Sequence, residues 1–172
     1  QCLPAVHPRV PPAGVLMDLE PLQNALLESG WRDVEPGRFQ DIDFDLIGWR
    51  RFLITKWRVL VQTVPVLDQP AVQLWAKHFD KLSRKSKGLI WGECFLLCLV
   101  CDEVAEDIVE TAGQPGFGVF STGRIEGGGG NAFVVDCANQ QVYGNIPEAP
   151  YDVHTYSAAI RSTIESILFP QG

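Results

Sequence analysis

The chain has 172 residues, of which 46% are hydrophobic, so its length is that of one domain with enough apolar surface to form a core. This composition excludes a chain that is disordered throughout. A formal net charge of -7 argues against nonspecific binding to nucleic acids, because the overall field repels phosphates, although a local basic patch would override it.

Residues 1–17 are rich in proline and lack the continuous apolar stretch of a secretory signal. They are predicted to form an extended or disordered arm before one domain over residues 18–172. The strongest apolar run, 95–101, is far shorter than the ~20 residues that cross a bilayer. Five cysteines, three of them in one apolar segment, favour reduced thiols over a disulfide framework. We therefore expect a cytoplasmic protein without a membrane partner.

The first half of the chain predicts a helix, adjacent strands and a second helix. Asp18 is placed to cap an amphipathic helix that stops at Gly30. Alternating apolar and acidic residues, followed by β-branched residues, predict two or three strands over 42–64. Apolar residues at helical spacing then run from Pro70 to a stop at Gly88.

The second half predicts a central strand with further strands and helices around it. Residues 93–100 are nearly all apolar, as in a strand that is buried on both faces. A helix over 102–111, strands over 118–125 and 132–143, a flexible glycine loop at 127–130 and a final helix over 155–168 follow. The predicted fold class is α/β (or α+β): a single domain with a mixed central sheet, helices packed on it and the order α-β-β-α-β-α-β-β-α.

Cys94, Cys98 and Cys101 have the spacing by which radical S-adenosylmethionine enzymes hold a four-iron cluster. Cluster ligands need a loop that wraps round the metal, whereas these cysteines lie in the predicted central strand. On a strand, Cys94 and Cys98 point to one face and Cys101 to the other. We therefore predict structural thiols and no cluster.

Asp41, Asp43 and Asp45 alternate along a predicted strand, and this spacing has two interpretations. Three carboxylates on one side of a strand would supply hard oxygen ligands to a divalent cation. Alternatively, they are the polar face of an edge strand whose other face enters the core. We favour the second interpretation, in which the core-facing residues are Ile42, Phe44 and Leu46.

The order of elements over residues 18–101 resembles the core of the restriction-endonuclease-like, or PD-(D/E)XK, nucleases. A helix precedes the strand Asp43-Phe44-Asp45-Leu46-Ile47, the strand Val59-Leu60-Val61-Gln62-Thr63-Val64 follows, and then come a helix and another apolar strand. In that family an aspartate on the earlier strand and a Glu-any-Lys or Gln-any-Lys triplet on the next hold magnesium and activate water.

The resemblance implies that Asp45 takes the first of these positions and Gln62 the second. Val64 stands where the catalytic lysine should be, and Lys56 is on the same stretch but outside that spacing. The resemblance therefore implies a degenerate member that has lost, or moved, its catalytic lysine.

Two charged sets are candidates for partner binding. The acidic set is a solvated helix face or a docking surface for a basic partner, and it comprises Asp102, Glu103, Glu106, Asp107 and Glu110. The basic set complements the negative end of a helix dipole or contacts an anion, and it comprises Lys77, Lys81, Arg84, Lys85 and Lys87.

Three functions remain open from the sequence. The leading hypothesis is a non-catalytic binding or scaffold domain, with a degenerate nuclease-like fold and no cofactor, that acts through a protein partner. The enzyme alternative is a magnesium- or manganese-dependent nuclease that uses Asp43 or Asp45 with Gln62 and a lysine such as Lys56. The third is nucleic-acid binding through the Lys77–Lys87 patch, and a homodimer is a further alternative for the assembly.

Overall fold

A computed structural model describes residues 18–52, 55–85, 93–112, 130–144, 162–167 and 169. The predicted arm over 1–17, the predicted strand over 118–125 and residues 127–129 of the predicted glycine loop lie outside these residues. The elements are α1 (Glu20–Glu28), β1 (Arg32–Phe39), β2 (Ile42–Phe52), β3 (Thr55–Leu67), α2 (Gln69–Lys85), β4 (Glu93–Val104), α3 (Glu106–Ala112), β5 (Gly130–Asp136) and β6 (Gln141–Tyr143). A fourth helix, α4, covers residues 162–167.

The six strands form one mixed sheet in the order β1-β2-β3-β4-β5-β6. β1, β2 and β3 pair antiparallel, β3, β4 and β5 pair parallel, and β6 returns antiparallel to β5. The parallel step from β3 to β4 needs a crossover, and α2 provides it. The predicted single α/β domain with a mixed central sheet is confirmed.

The core is divided by the sheet into two layers. One layer, the α2 side, contains buried residues of α2 and α3, and the other, the α1 side, contains those of α1 and α4. Residues 95–101 of β4 are all buried, and alternate side chains enter opposite layers. This burial on both faces explains why the predicted central strand lacks polar residues. Ile164 on α4 is buried in the α1 side, as its spacing in the sequence predicts.

The cysteines of β4 are thiols in the core, as predicted. Cys98 is buried on the α1 side and Cys101 on the α2 side, while Cys94 packs against the α1 side. Burial raises the pKa of Cys98 to about 12, with the nearby Cys137 adding to the effect. Burial also raises the pKa of Cys101 far above its ordinary value. Both thiols are therefore protonated at neutral pH and serve as small apolar side chains.

α1 begins and ends with local hydrogen bonds that its sequence specifies. The Asp18 carboxylate accepts a hydrogen bond from the Glu20 amide at 2.9 Å. At the other end Gly30 has φ +87°, its amide donates to Leu27 O, and the Trp31 amide donates to Leu26 O. This is a Schellman motif, which needs the left-handed conformation that glycine adopts readily.

Among the described residues, no helix is both long and apolar enough to cross a membrane.

The sequence prediction missed β1. Pro36 and Gly37 weaken the strand pattern there, but β1 is an edge strand, where a proline is tolerated. A two-residue turn joins β1 to β2, and both its residues have positive φ, 51° at Gln40 and 65° at Asp41, as in a type I′ turn. Asp41 therefore lies in the turn, and its predicted position on the strand is wrong.

Two predicted boundaries in the second half also change. The helix predicted from Asp102 begins at Glu106, because β4 continues to Val104 and pairs with the end of β3. The strand predicted over 132–143 is the hairpin of β5 and β6. Asp136 is fully buried at its turn and accepts hydrogen bonds from the Asn139 amide at 3.1 Å and from Asn139 Nδ2 at 2.7 Å.

Gly130, the first residue of β5, has no room for a side chain. A Cβ there would lie 2.1 Å from Cζ of Phe95, which is buried against Phe79 with 5.4 Å between ring centroids. We expect Gly130→Ala to lower the free energy of unfolding by about 1–3 kcal/mol, the usual cost of overpacking a core. Urea denaturation measures this change.

Gly37→Ala is the matched control, because the nearest atom to a Cβ there is Ile47 Cδ1 at an ordinary 3.4 Å. Its effect should stay within about 0.5 kcal/mol, as at most surface positions. Equal stabilities of the two variants would contradict the tight packing of Gly130 on Phe95.

Candidate functional site

β2 carries an irregularity at Asp45 that changes the face its side chains occupy. Gly37 pairs with Phe44 and Glu35 with Ile47, so β2 has one more residue than β1 over this interval. Such a bulge turns the side chains that follow it to the opposite face of the sheet. Phe44 lies on the α2 side and Leu46 on the α1 side. The predicted burial of Ile42, Phe44 and Leu46 is confirmed, but they do not share one face of the sheet. The prediction that they lie on an edge strand is wrong, because β2 pairs with both β1 and β3.

The Asp45 carboxylate binds β3 where the backbone pairing of β2 with β3 stops. That pairing runs from Phe52 opposite Thr55 to Leu46 opposite Val61. Beyond it, Asp45 Oδ2 accepts hydrogen bonds from the Thr63 amide at 2.7 Å and from Thr63 Oγ1 at 2.5 Å. We call this set of contacts the Asp45–Thr63 latch. The carboxylate stands in for the backbone carbonyl that a continued ladder would supply.

Gln62 also contacts this carboxylate, with 3.0 Å between Nε2 and Asp45 Oδ2. The structure thus brings together two of the residues that the nuclease resemblance selects. Lys56 is on the same strand but six residues from Gln62, about 20 Å at the rise of a β-strand. Val64 is buried in the α2 side.

The other two aspartates of the predicted cluster, Asp41 in the turn and Asp43 on β2, have separate ion-pair partners. Asp43 lies 3.2 Å from Arg38 on β1, and Asp41 lies 3.8 Å from Lys81 on α2. Both aspartates are exposed. Across the described ranges, no group of three or more histidine, cysteine, aspartate or glutamate side chains is arranged to hold a metal ion.

The fold divides the acidic set between two elements and keeps the described residues of the basic set on α2. Asp102 and Glu103 belong to β4, while Glu106 and Asp107 form the first turn of α3, where acids oppose the positive end of the helix dipole. In the basic set, Lys77 is exposed, Lys81 approaches Asp41, and Arg84 forms an ion pair of 2.9 Å with Asp80. The side chains of Glu110, Lys85 and Lys87 lie outside the described part of the structure.

A different set of residues forms a positive surface at one end of the sheet. An open cleft of about 570 Å³ lies where the end of α1 meets β1 and β2, and we call it the cationic cleft. Its lining residues are Gly30, Arg32, Trp49, Arg50 and Arg51. Lys56 stands beside it, with Nζ 5.0 Å from the centroid of the Trp49 ring.

Trp49 organises the cations of the cleft. Its indole Nε1 donates a hydrogen bond of 2.5 Å to Asp33 Oδ2, which fixes the ring against β1. Asp33 has φ 51°, a left-handed conformation that aspartate tolerates better than most residues. Arg32 Cζ lies 5.4 Å from the ring centroid, so strands on both sides of β2 direct a cation onto this indole.

The positive charges of the cleft are poorly neutralised. Arg51 on β2 pairs directly with Lys56 on β3, and like charges at opposed positions destabilise a sheet. Within the part of the chain that the structure describes, neither Arg32 nor Arg51 contacts a carboxylate. Lys56 lies 3.9 Å from Glu93, whose two oxygens accept shorter hydrogen bonds from Arg58, at 3.0 and 2.9 Å.

Arg50 is held differently from the other cations of the cleft. Its Nη1 donates a hydrogen bond of 2.6 Å to Ser29 O at the C-terminal end of α1. The guanidinium lies beside the Schellman turn, with 3.6 Å between Arg50 Cζ and the position that a Cβ on Gly30 would take, which is an ordinary contact distance. The end of α1 therefore positions one side of the cleft through a backbone acceptor.

A second cleft, of about 470 Å³, lies between β6 and α4. Gln141, Ser162 and Ser166 line it together with the carboxylate of Glu165. Its polar groups are mainly uncharged, and its charged side chain is acidic. Of the two clefts, the cationic one therefore offers the stronger electrostatic basis for recognising a ligand.

Lys56, which stands beside the cationic cleft, was selected from the sequence as a candidate, whereas the arginines of the lining were not. The signal that could have found them is the succession Trp49-Arg50-Arg51 in an acidic chain, followed on the next strand by alternating Lys56 and Arg58. Comparisons with protein-family models, with curated proteins and with solved structures find no match to this chain.

The Asp45–Thr63 latch predicts a specific loss of stability. We expect Asp45→Ala to lower the free energy of unfolding by about 1–3 kcal/mol, because the Thr63 amide and hydroxyl lose a charged acceptor. Asp43→Ala is the matched control on the same strand, and its exposed ion pair should contribute less than about 1 kcal/mol. Urea denaturation of both variants would contradict the latch if Asp43→Ala proved the more destabilising.

Proposed function

We propose that this protein is a non-catalytic binding domain that holds an acidic segment of a protein partner in the cationic cleft. The observation that carries the proposal is the direct opposition of Arg51 and Lys56 on neighbouring strands, with Arg32 as a third cation beside them. This arrangement is unfavourable in the empty cleft and becomes favourable when an anion lies between the cations.

The residue types fit a carboxylate or a similar anion. Guanidinium groups present planar forks of N–H donors that match carboxylate oxygens two at a time. Arg32 and Arg51 are exposed, so their donors face solvent and a ligand can reach them. The overall charge of -7 makes this positive site a local exception, and attraction is therefore confined to the cleft.

A protein segment fits the cleft better than a nucleic acid. Single-stranded nucleic acids bind through exposed aromatic rings on which bases stack, whereas the Trp49 ring already contacts Arg32 and Lys56. The alternative basic patch on α2 is weakened as a nucleic-acid site by the pairing of Lys81 with Asp41 and of Arg84 with Asp80. A polyanionic backbone would also meet the repulsive net charge of the chain.

The surroundings of Asp45 and Val64 support a non-catalytic role. Asp45 is engaged by the amide and the hydroxyl of Thr63, and Val64, which the resemblance aligns with the nucleases' lysine, is a buried apolar side chain. We therefore keep the degenerate nuclease-like fold, without a cofactor, as part of the proposal. We also propose a cytoplasmic location, since Cys98, Cys101 and Cys137 are thiols that form no disulfide.

The contact between Asp45 and Gln62 favours a second candidate, a magnesium- or manganese-dependent nuclease. This candidate predicts cleavage of single- or double-stranded DNA or RNA that needs the metal and disappears in Asp45→Asn, which keeps the size of the side chain. Asp43→Asn is the matched control. Gel electrophoresis of the products measures the activity, and metal-dependent cleavage lost specifically in Asp45→Asn would overturn the non-catalytic proposal.

The proposed function predicts saturable binding of a fluorescein-labelled hexaglutamate peptide, measured by fluorescence anisotropy. Arg51→Glu should weaken this binding at least ten-fold, equivalent to about 1.4 kcal/mol. Affinity should fall as salt rises, because the contacts are partly exposed and are screened.

Arg38→Glu is the matched control, since it changes the net charge equally and lies on β1 outside the lining of the cleft. It should leave the affinity within about two-fold of wild type. Equal weakening by the two reversals would show that the peptide responds to overall charge, and would remove the cleft as the site.

A further inference from the structure

We infer that the anionic group held in the cationic cleft is a phosphate monoester, carried on a phosphorylated serine or threonine of the protein partner. This inference rests on the proposed function and deepens it, because it names the chemical group that the acidic segment presents.

The cationic cleft carries more positive than negative charge. Arg32, Arg51 and Lys56 bring three positive charges to the cleft and its edge, while Asp33 contacts the Trp49 ring and Glu93 is shared by Lys56 and Arg58. A carboxylate ligand supplies a single negative charge. A phosphate monoester carries about -1.5 to -2 at neutral pH, so one such group neutralises more of the excess at a single point.

The cationic cleft offers many N–H donors, which come from different strands. Arg32, Arg51 and Lys56 come from three neighbouring strands: Arg32 and Lys56 lie over the indole of Trp49, and Arg51 pairs with Lys56. Each guanidinium offers five N–H donors and the ammonium three. The two coplanar oxygens of a carboxylate match one guanidinium fork, whereas the three terminal oxygens of a phosphate can accept from several directions at once.

Side chains of the cationic cleft are held in place before a ligand binds. Long cationic side chains lose rotamer freedom when they bind, and this loss weakens affinity. Trp49 is fixed through its hydrogen bond to Asp33, and its ring attracts Arg32 and Lys56 before a ligand arrives. Arg50 is likewise fixed by its bond to Ser29 O. Recognition by several positioned cations is typical of phosphorylated motifs.

The size of the cleft favours a phosphate that is attached to a larger group. A volume of about 570 Å³ is many times the roughly 30 Å³ that one water molecule occupies in the liquid. A free phosphate ion would leave much of this space to solvent, whereas a phosphorylated side chain also brings its own backbone and its neighbours into the cleft.

The test is a nuclear magnetic resonance titration of the full chain that follows the indole N–H signal of Trp49, assigned by its absence in Trp49→Phe. The ligands are three acetylated, amidated peptides, Gly-Ala-X-Ala-Gly, in which X is phosphoserine, glutamate or serine, together with inorganic phosphate and hexathymidylate. We expect the phosphoserine peptide to bind at least ten-fold more tightly than the glutamate peptide, and more tightly than inorganic phosphate.

Variants connect the binding to the cleft. Arg51→Gln and Lys56→Gln should each weaken phosphoserine binding at least ten-fold, while Arg38→Gln, outside the cleft, should leave it unchanged. Removing one of the two opposed cations should also preserve or raise the melting temperature of the free protein, because the repulsion between Arg51 and Lys56 is relieved. A weakened affinity with unimpaired stability thus separates recognition from folding.

Each other outcome overturns a stated part of the proposal. Equal affinities of the glutamate and phosphoserine peptides would remove the phosphate and leave the proposed function standing. Inorganic phosphate that binds as tightly as the phosphoserine peptide would replace the protein-borne group by a free ion. Binding of hexathymidylate alone, or of none of the ligands, would overturn both the phosphate and the acidic protein segment.

Discussion

The contact of the Asp45 carboxylate with Thr63 is the interaction on which the arrangement of the first three strands depends. It lies where β2 stops pairing with β3 and where the extra residue in β2 turns its side chains to the other face. Without a substitute acceptor, the Thr63 amide would lose its partner at this point. The latch therefore lets a single strand, β2, contribute Phe44 to the α2 side and Leu46 to the α1 side.

The remainder of β2 can then approach its neighbours closely. Gly48 follows the bulge, and a Cβ there would lie 3.0 Å from Val34 and 3.1 Å from Val59 on the flanking strands. Because β1 and β2 pair antiparallel, the end of β2 lies beside the start of β1 and the Schellman turn of α1. The cationic cleft is therefore a product of strand register and of the way α1 ends, because its residues come from separate elements that meet here.

The cleft places the requirements of folding and of binding in opposition. Arg51 opposite Lys56 destabilises the sheet locally, and Asp33 adopts a left-handed backbone beside the same indole. Unfavourable features that collect in one place are common at binding sites, where a ligand compensates for them. The buried layers on either side of β4 supply the stability that tolerates such a site, since residues 95–101 are closely packed on both faces.

The sequence by itself determined the elements whose side chains repeat at a fixed period, because periodicity is a local property. The apolar centre of β4 and the amphipathic α2 were predicted in this way, and the structure confirms them. The end of α1 at Gly30 was predicted from one residue type, which is also a local signal. Only the tertiary structure decided the role of Asp45 and the existence of the cleft. A bulge changes the face of a strand without altering its composition, so the reversal at Leu46 leaves no periodic signal. Arg32, Trp49 and Lys56 become neighbours through pairing between three strands, and sequence spacing does not encode which strands will pair or in which register.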